Sequence, residues 1–387
     1  MTAPLIWAEV DLDAIGHNTR EFRRIVGPEV GIMPAVKADG YGHGAVEVAT
    51  VALANGATAL GVARLEEGIT LRNAGITAPV LVFSYAGPDA ARDLIDFDLT
   101  ATVSRIEVAE ALSDRARALG KTLGVHVKID SGMGRIGMLT ALGHPGSPMP
   151  DSRALDDILA MARLPGIALE GIYTHLASSD SRDKTDAAHQ LTIFTRFVSD
   201  LETKGFAFPL RHAANSAAAI GMPESHLDMI RPGISFYGLP PSPETDVSGI
   251  DLHPAMQLKG KIVSLKRVSR GFRVSYGSTH VVDRDTVIAV VPVGYADGFS
   301  RRFSNNGGML VRGLRAPIVG RVCMDLTMID VGHIPDVCLE EEVVIFGTQR
   351  GSTLCVDELA ERLGTINYEI VANVNARVKR VYQGGRL

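Results

Sequence analysis

Lys37 ends an apolar run, GIMPAV, and opens onto the turn Asp39-Gly40-Tyr41-Gly42-His43-Gly44. A lysine held where a buried strand stops is desolvated, and desolvation lowers its pKa from the usual value of about 10.4. The neutral amine forms a Schiff base with an aldehyde. The glycines let backbone approach a ligand closely, and Tyr41 adds a hydroxyl. A second stretch, GMGRIG, places Gly132, Gly134 and Gly137 in the spacing G-x-G-x-x-G after a strand-like run. As a dinucleotide fingerprint it would have to open a helix that receives a pyrophosphate. Gly143, Pro145, Gly146, Pro148 and Pro150 follow, so no helix can run on and the dinucleotide reading is rejected.

The elements that must position these residues alternate along the first part of the chain. β-like runs fall at GIMPAV (31–36), TALGVA (58–63), PVLVFS (79–84), LTATVS (99–104), LGVHVKID (123–130), IALEGIYTH (167–175), FPLRHAA (208–214) and LDMIR (227–231). Between them lie stretches with apolar residues at helical spacing, most ending at a glycine. Eight such units predict a (β/α)8 barrel over 1–240, with the active site at the C-terminal ends of the strands. Lys37 stands at the end of the first strand. Pro240, Pro241 and Pro243 mark a linker. Residues 241–387 carry mostly β-like runs, such as TVIAVVPVG and APIVGRVCMDLTMIDVG, and predict a β-rich second domain. WAEVDL reads as a strand outside the barrel, which lets residues 1–10 pair with that domain. A loop over 139–152 reads as an exposed excursion.

Composition narrows the function. The chain has 387 residues, 46% of them hydrophobic, which supplies a large core. A net charge of −5 with interspersed signs offers no basic face for nucleic acid. No apolar run reaches the length a bilayer needs. The N-terminal residues lack a secretory pattern. Three cysteines, Cys323, Cys338 and Cys355, have no metal-ligand spacing, so no metal is expected and a reduced, cytoplasmic setting is.

AVKADGYGHG resembles the cofactor-lysine motif of alanine racemases, which use pyridoxal 5'-phosphate. The likeness continues, in order, through GVARLEEGITLRNAGI, VHVKIDSGMGRIG, THLASSD, HAANSAA, RPGISFYGL, VSYGSTH, VPVGYADGF, VGRVCMDLTMIDVG and NYEI. The resemblance implies interconversion of L- and D-alanine, supplying D-alanine for peptidoglycan or degrading it; a broad-specificity or serine racemase would need the same residues. Lys37 would hold the cofactor and serve as one base. Tyr276 would be the other, reaching the site from the second subunit of a homodimer, with His175, hydrogen-bonded toward Arg231, supporting it. Tyr41, Ser216, the N–H groups of Gly233 and Ile234, and Tyr368 would grip the phosphate.

Arg231 would face the pyridine nitrogen, where a permanently protonated donor leaves that nitrogen unprotonated. Arg135 would touch the cofactor's phenolic oxygen and the substrate carboxylate. Lys128 is a position for carbamylation, which would hold Arg135. Met324 and Asp325 would approach the substrate carboxylate from the other subunit, and Tyr295 would line the entry. Asp39-Gly40, His280 and Lys379 depart from the family's commoner residues without removing a catalytic group.

Overall fold

The computed structural model describes residues 4–140 and 153–385; most of the loop expected over 139–152 lies outside the described residues. Two compact units form. One comprises Ala14–Gly40 with the described residues of Ala45–Pro254, and the other 4–13, Tyr41–Gly44 and 255–385.

The first unit is the expected barrel. Its parallel strands are β1 (Gly31–Ile32), β2 (Leu60–Val62), β3 (Val80–Tyr85), β4 (Thr100–Val103), β5 (Leu123–Asp130), β6 (Ile167–Tyr173), β7 (Leu210–His212) and β8 (Met229–Ile230). They pair in the order β1-β8-β7-β6-β5-β4-β3-β2, and a bridge between Ala35 and Gly61 joins the two ends. β1 is shorter than the run GIMPAV because Pro34 has no N–H to give the ladder. The chain resumes pairing just beyond it, where Val36 N–H donates to Gly61 O at 2.8 Å. Met33, Ala59, Leu81, Tyr173 and Met229 pack together as a buried cluster. Along β5, His126 and Lys128 alternate with Val125, Val127 and Ile129, and all five are buried. The period of two sends the polar and apolar sets to opposite faces of the strand.

Lys37 enters an unusual turn. Ala38, Asp39, Gly40 and Tyr41 all have φ between 52° and 61°, one turn of left-handed helix. Left-handed helix costs roughly 1–2 kcal/mol for each non-glycine residue. Three hydrogen bonds hold it: Ala38 N–H to Glu67 Oε1 at 2.7 Å, Ala45 N–H to Asp39 Oδ1 at 2.9 Å, and Gly40 N–H to Val36 O at 2.9 Å. Glu67 is itself fixed, since its Oε2 accepts from Ala63 and Arg64 N–H and caps the helix Leu65–Asn73.

In the second unit, Ile6–Asp11 lies between Met256–Lys261, antiparallel to it, and Lys379–Gln383, parallel to it. The sheet continues through Glu342–Gln349, Gly308–Val311 and Leu314–Pro317. A separate sheet is built from Ser264–Val268, Thr286–Val291 and Thr327–Asp330. The sequence divides the chain at 240, whereas the compact units divide at Pro254. The intervening segment is tied to the barrel's first helix, α1 (Leu12–Val26), where Asn18 bonds both the N–H and the C=O of His253.

The left-handed turn predicts opposite effects at one site. Ala38→Gly relieves a positive φ and should leave the protein as stable or up to about 1 kcal/mol more stable, whereas Ala38→Val should cost about 1–2 kcal/mol. Urea midpoints at equal protein concentration check both; a destabilised glycine variant contradicts the strain argument.

Candidate active site

The barrel unit gathers its functional side chains at the C-terminal ends of its strands. Lys37 follows β1, Lys128 and Asp130 end β5, His175 follows β6, His212 ends β7, Ser216 opens the helix after it, and Arg231 follows β8. Arg231 is buried, 6% exposed. Its hydrogen bonds run to Thr174 O at 2.7 Å, Ala213 O at 3.0 Å and His212 Nδ1 at 2.7 Å, with no carboxylate among them. Its guanidinium lies 5.1 Å from the Tyr173 ring centre. Burial pushes its pKa down to about 10.

That positive charge is felt throughout the site. His212 and His175 are held well below the usual histidine range, first by burial and next by Arg231. His126, whose Nδ1 lies 2.9 Å from His212 Nε2, is lowered to about 4 for the same reasons. Lys128 is lowered to about 8 by burial, then by Arg135 and Arg231. Lys37 is also lowered, by burial and then by Arg135, with Glu67 opposing. The barrel mouth therefore combines neutral imidazoles, two lysines that release their protons more readily, and two arginines. It is built for an anion and for an amine nucleophile.

Ser216 Oγ accepts from Gly233 N–H at 2.8 Å and Ser235 N–H at 3.3 Å. Ile234 opens the 3-10 turn Ile234–Tyr237 between them. A hydroxyl and backbone N–H groups thus gather beyond the last barrel strands, where this architecture commonly takes up a phosphate. The glycines of GMGRIG serve a different end from nucleotide binding. Gly132, Gly134 and Arg135 N–H all donate to the Asp130 carboxylate at 3.0 Å, and a short strand, Met138–Leu139, follows. Asp130 thereby sets the turn that carries Arg135.

The second unit brings its own candidates together around Cys323. Ser275, next to Tyr276, donates to Arg321 O at 2.7 Å. Tyr295 N–H donates to Cys323 O at 3.1 Å and Ala296 N–H to Met324 O at 3.0 Å. Asp325 is paired with Arg377 at 2.7 Å, and Arg377 also meets the buried Asp297 at 2.9 Å. Tyr276 is 71% exposed, and Met324 and Tyr295 are exposed too. In the same unit Tyr41 and Tyr368 face each other with ring centres 6.1 Å apart, and burial raises the Tyr41 hydroxyl to about 12.

Two family models match: "Alanine racemase, N-terminal domain" over residues 10–241 and "Alanine racemase, C-terminal domain" over 255–382. The chain belongs to the alanine racemase family. An alanine racemase of Desulfosudis oleivorans is 51% identical, over 98% of this chain and 97% of its own length. One of Methanococcus maripaludis is 44% identical, over 99% and 100%. The solved alanine racemase of Clostridium difficile 630 superposes with TM-score 0.92 at 37% identity, covering 99% of this chain and 97% of its own. That of Bacillus anthracis, solved with bound L-Ala-P, gives 0.91 at 36%, covering 100% and 97%.

Alanine racemases depend on pyridoxal phosphate, and the barrel residues fit it. Ser216 with the Gly233 and Ile234 backbone suits its phosphate, the amine of Lys37 its aldehyde, and Arg231, which bonds no carboxylate among the described residues, its ring nitrogen. One expected contact differs. The imidazole bonded to Arg231 is that of His212, not His175; His175, at the end of THLASSD's strand, senses the guanidinium through charge alone. His212 was legible as an inward position of FPLRHAA, the run that became β7. Glu67 and Asp130 carried no such signal, because each acts on backbone N–H groups that no spacing rule points to. Among the described residues no helix is long and apolar enough to cross a membrane.

Lys128 predicts a pH effect on stability. With a folded pKa near 8, below that of the unfolded chain, the unfolded state binds the extra proton between about pH 8 and 10.4. Stability gained from Lys128 therefore rises with pH across that window, by about 3 kcal/mol at most. In carbonate-free buffer, urea unfolding of Lys128→Met should lack this rise. An identical pH profile in wild type and variant would contradict the burial of the amine.

Proposed function

We propose that the chain interconverts L- and D-alanine with pyridoxal phosphate held by Lys37, using two bases, Lys37 and the Tyr276 of a second copy. The observation that carries this reading is that one barrel mouth holds both a desolvated lysine and a buried Arg231 that bonds no carboxylate among the described residues. Bound pyridoxal phosphate would draw away the electron pair left on Cα when its proton departs. Ser216 Oγ and the Gly233 and Ile234 N–H groups would bind the phosphate, with the Tyr41 and Tyr368 hydroxyls.

Arg231 would donate to the ring nitrogen and, staying protonated at neutral pH, could not remove a proton from it. By donating there, Arg231 would favour return of the proton to Cα over transfer elsewhere. Arg135 would bind the substrate carboxylate. Lys128, whose amine is neutral more readily than usual, is suited to take up CO2 as a carbamate. The negative charge so formed would answer Arg135 and Arg231 together.

Racemisation takes a proton from one face of Cα and returns one to the other, which two bases on opposite faces do most simply. Lys37, once substrate has displaced it, holds one face. Tyr276 answers for the other. Its exposure, like that of Met324 and Tyr295, supports a homodimer in which this surface meets the other copy. Met324 and Tyr295 would then limit the side chain to about the size of a methyl group, and Asp325 would lie near the substrate carboxylate. We place the activity in the cytoplasm, making D-alanine for peptidoglycan or consuming it.

Borohydride treatment of the protein saturated with pyridoxal phosphate should fix the label on Lys37, read by peptide mapping; a label confined to another lysine defeats the assignment. Racemisation should be measured on both enantiomers of alanine and of serine. Faster turnover of serine would favour the broad-specificity reading. Lys37→Ala and Tyr276→Phe homodimers should each be nearly inactive. Their reassembled heterodimer holds one complete site and one lacking both bases, so about half the wild-type activity should return. No recovery, with heterodimer confirmed by native mass spectrometry, would place both bases in one chain.

A further inference from the structure

The barrel unit also carries a cluster that the racemase reading does not use. His17 lies on α1, and Asp251 and His253 lie in the segment that leads out of the barrel. His17 Nε2 is 3.2 Å from Asp251 Oδ2, and His253 Nε2 is 3.1 Å from the same oxygen. One donor atom from each residue lies within 4.8 Å of the others. The two imidazoles stack, with ring centres 3.9 Å apart and planes 8° from parallel. We propose that His17, Asp251 and His253 bind a divalent transition cation of the zinc or nickel class, which staples the exit segment to α1.

The donor chemistry selects that class. Two imidazole nitrogens and one carboxylate suit zinc, nickel or copper, whereas magnesium and calcium take oxygen ligands. Metal–nitrogen and metal–oxygen bonds of about 2.0–2.2 Å set donor atoms about 3.3–3.5 Å apart on a tetrahedral ion. The observed separations from Asp251 Oδ2 are already close to this. The Asp251 carbonyl oxygen, 3.0 Å from His17 Nε2, offers a further donor. Metal binding requires both imidazoles in the neutral form, and a turn of one ring out of the stack aims both nitrogen lone pairs at one ion.

The framework is fixed independently of any ion. Asn18 Nδ2 donates to His253 O at 2.9 Å, and His253 N–H donates to Asn18 Oδ1 at 2.9 Å. Glu21 Oε2 accepts from Asp251 N–H at 3.0 Å, and Arg24 donates to Gly249 O at 2.7 Å and to Glu21 at 2.8 Å. His17, Asn18, Glu21 and Arg24 fall at helical spacing on α1, so one face of the helix orders the whole segment. Asp251 and His253 are more than half exposed in their side chains, which leaves the ion an entry path. Sequence spacing could not reveal the site, because the histidines stand at opposite ends of the barrel unit.

The test uses the full-length protein loaded with its cofactor, freed of metal by chelator and dialysis. Zinc bound at equilibrium, counted by elemental mass spectrometry, should fall by one equivalent per chain in the double variant His17→Gln/His253→Gln. In wild type the melting temperature should climb with each tenfold increase in zinc above the dissociation constant, and the double variant should lose that climb. Asp251→Asn keeps the hydrogen-bond framework, so it should melt like wild type in chelator and bind zinc at least tenfold more weakly. Racemisation should be unchanged in all variants. Equal zinc stoichiometry in wild type and double variant, or equal response to magnesium, would overturn the proposal and leave a hydrogen-bonded cluster only.

Discussion

A guanidinium buried without a carboxylate is the constraint around which the barrel mouth is arranged. The depression of Arg231 to a pKa of about 10 corresponds to about 3 kcal/mol of unfavourable burial. The protein offsets it with the carbonyl oxygens of Thr174 and Ala213, the Nδ1 of His212 and the face of Tyr173. None of these partners cancels the charge. Burial first, and then the charge of Arg231, keeps the neighbouring histidines neutral; burial and then Arg135 press Lys128 and Lys37 toward neutrality. A site of this kind has an appetite for negative charge and for lone pairs, and it carries a nucleophilic amine at its edge. Those are the demands that an anionic, aldehyde-bearing ring with a basic nitrogen meets.

The second unit solves a different problem. In the proposed mechanism, Tyr276 must be held firmly while remaining uncovered within its own chain. Ser275, Cys323 and the Tyr295 turn hold the backbone around Tyr276, and the phenol itself stands out. The barrel supplies permanence and low polarity; the β unit supplies presentation. Arg377, bridging Asp297 and Asp325, pins the loop that also carries Met324.

Much of this was legible in the sequence, for identifiable reasons. Strand–helix alternation with glycine stops is a strong periodic signal, and it located the strands of the barrel to within a few residues. The ordered motifs pointed to Lys37, Ser216, Arg231 and Tyr276, and the first three lie at the C-terminal ends of the barrel strands. What escaped were interactions in which a side chain serves backbone or a distant residue. Glu67 looks like an ordinary acidic residue at the start of a helix, yet it clamps the turn after Lys37. Asp130 reads as the last residue of a strand, yet it organises GMGRIG. That His212 rather than His175 bonds Arg231 follows from position: His212 is the last residue of β7, whereas His175 lies two residues beyond the end of β6. The β-rich half gave weaker boundaries, because its runs are short and pairing across long separations leaves no local mark.

The placement of Ile6–Asp11 between Met256–Lys261 and Lys379–Gln383 has a consequence for how the protein is made. This interior strand leaves the ribosome long before either of its neighbours. At translation rates of about 5–20 residues per second, it waits roughly 10 to 50 seconds for the first of them and longer for the second. The barrel, whose strands arrive in order, can close during that interval. Ile6–Asp11 meanwhile presents two bare edges, the form in which nascent strands recruit the wrong partner. Its alternation of charged Glu9 and Asp11 with apolar Ala8 and Val10 keeps those edges soluble until synthesis is complete.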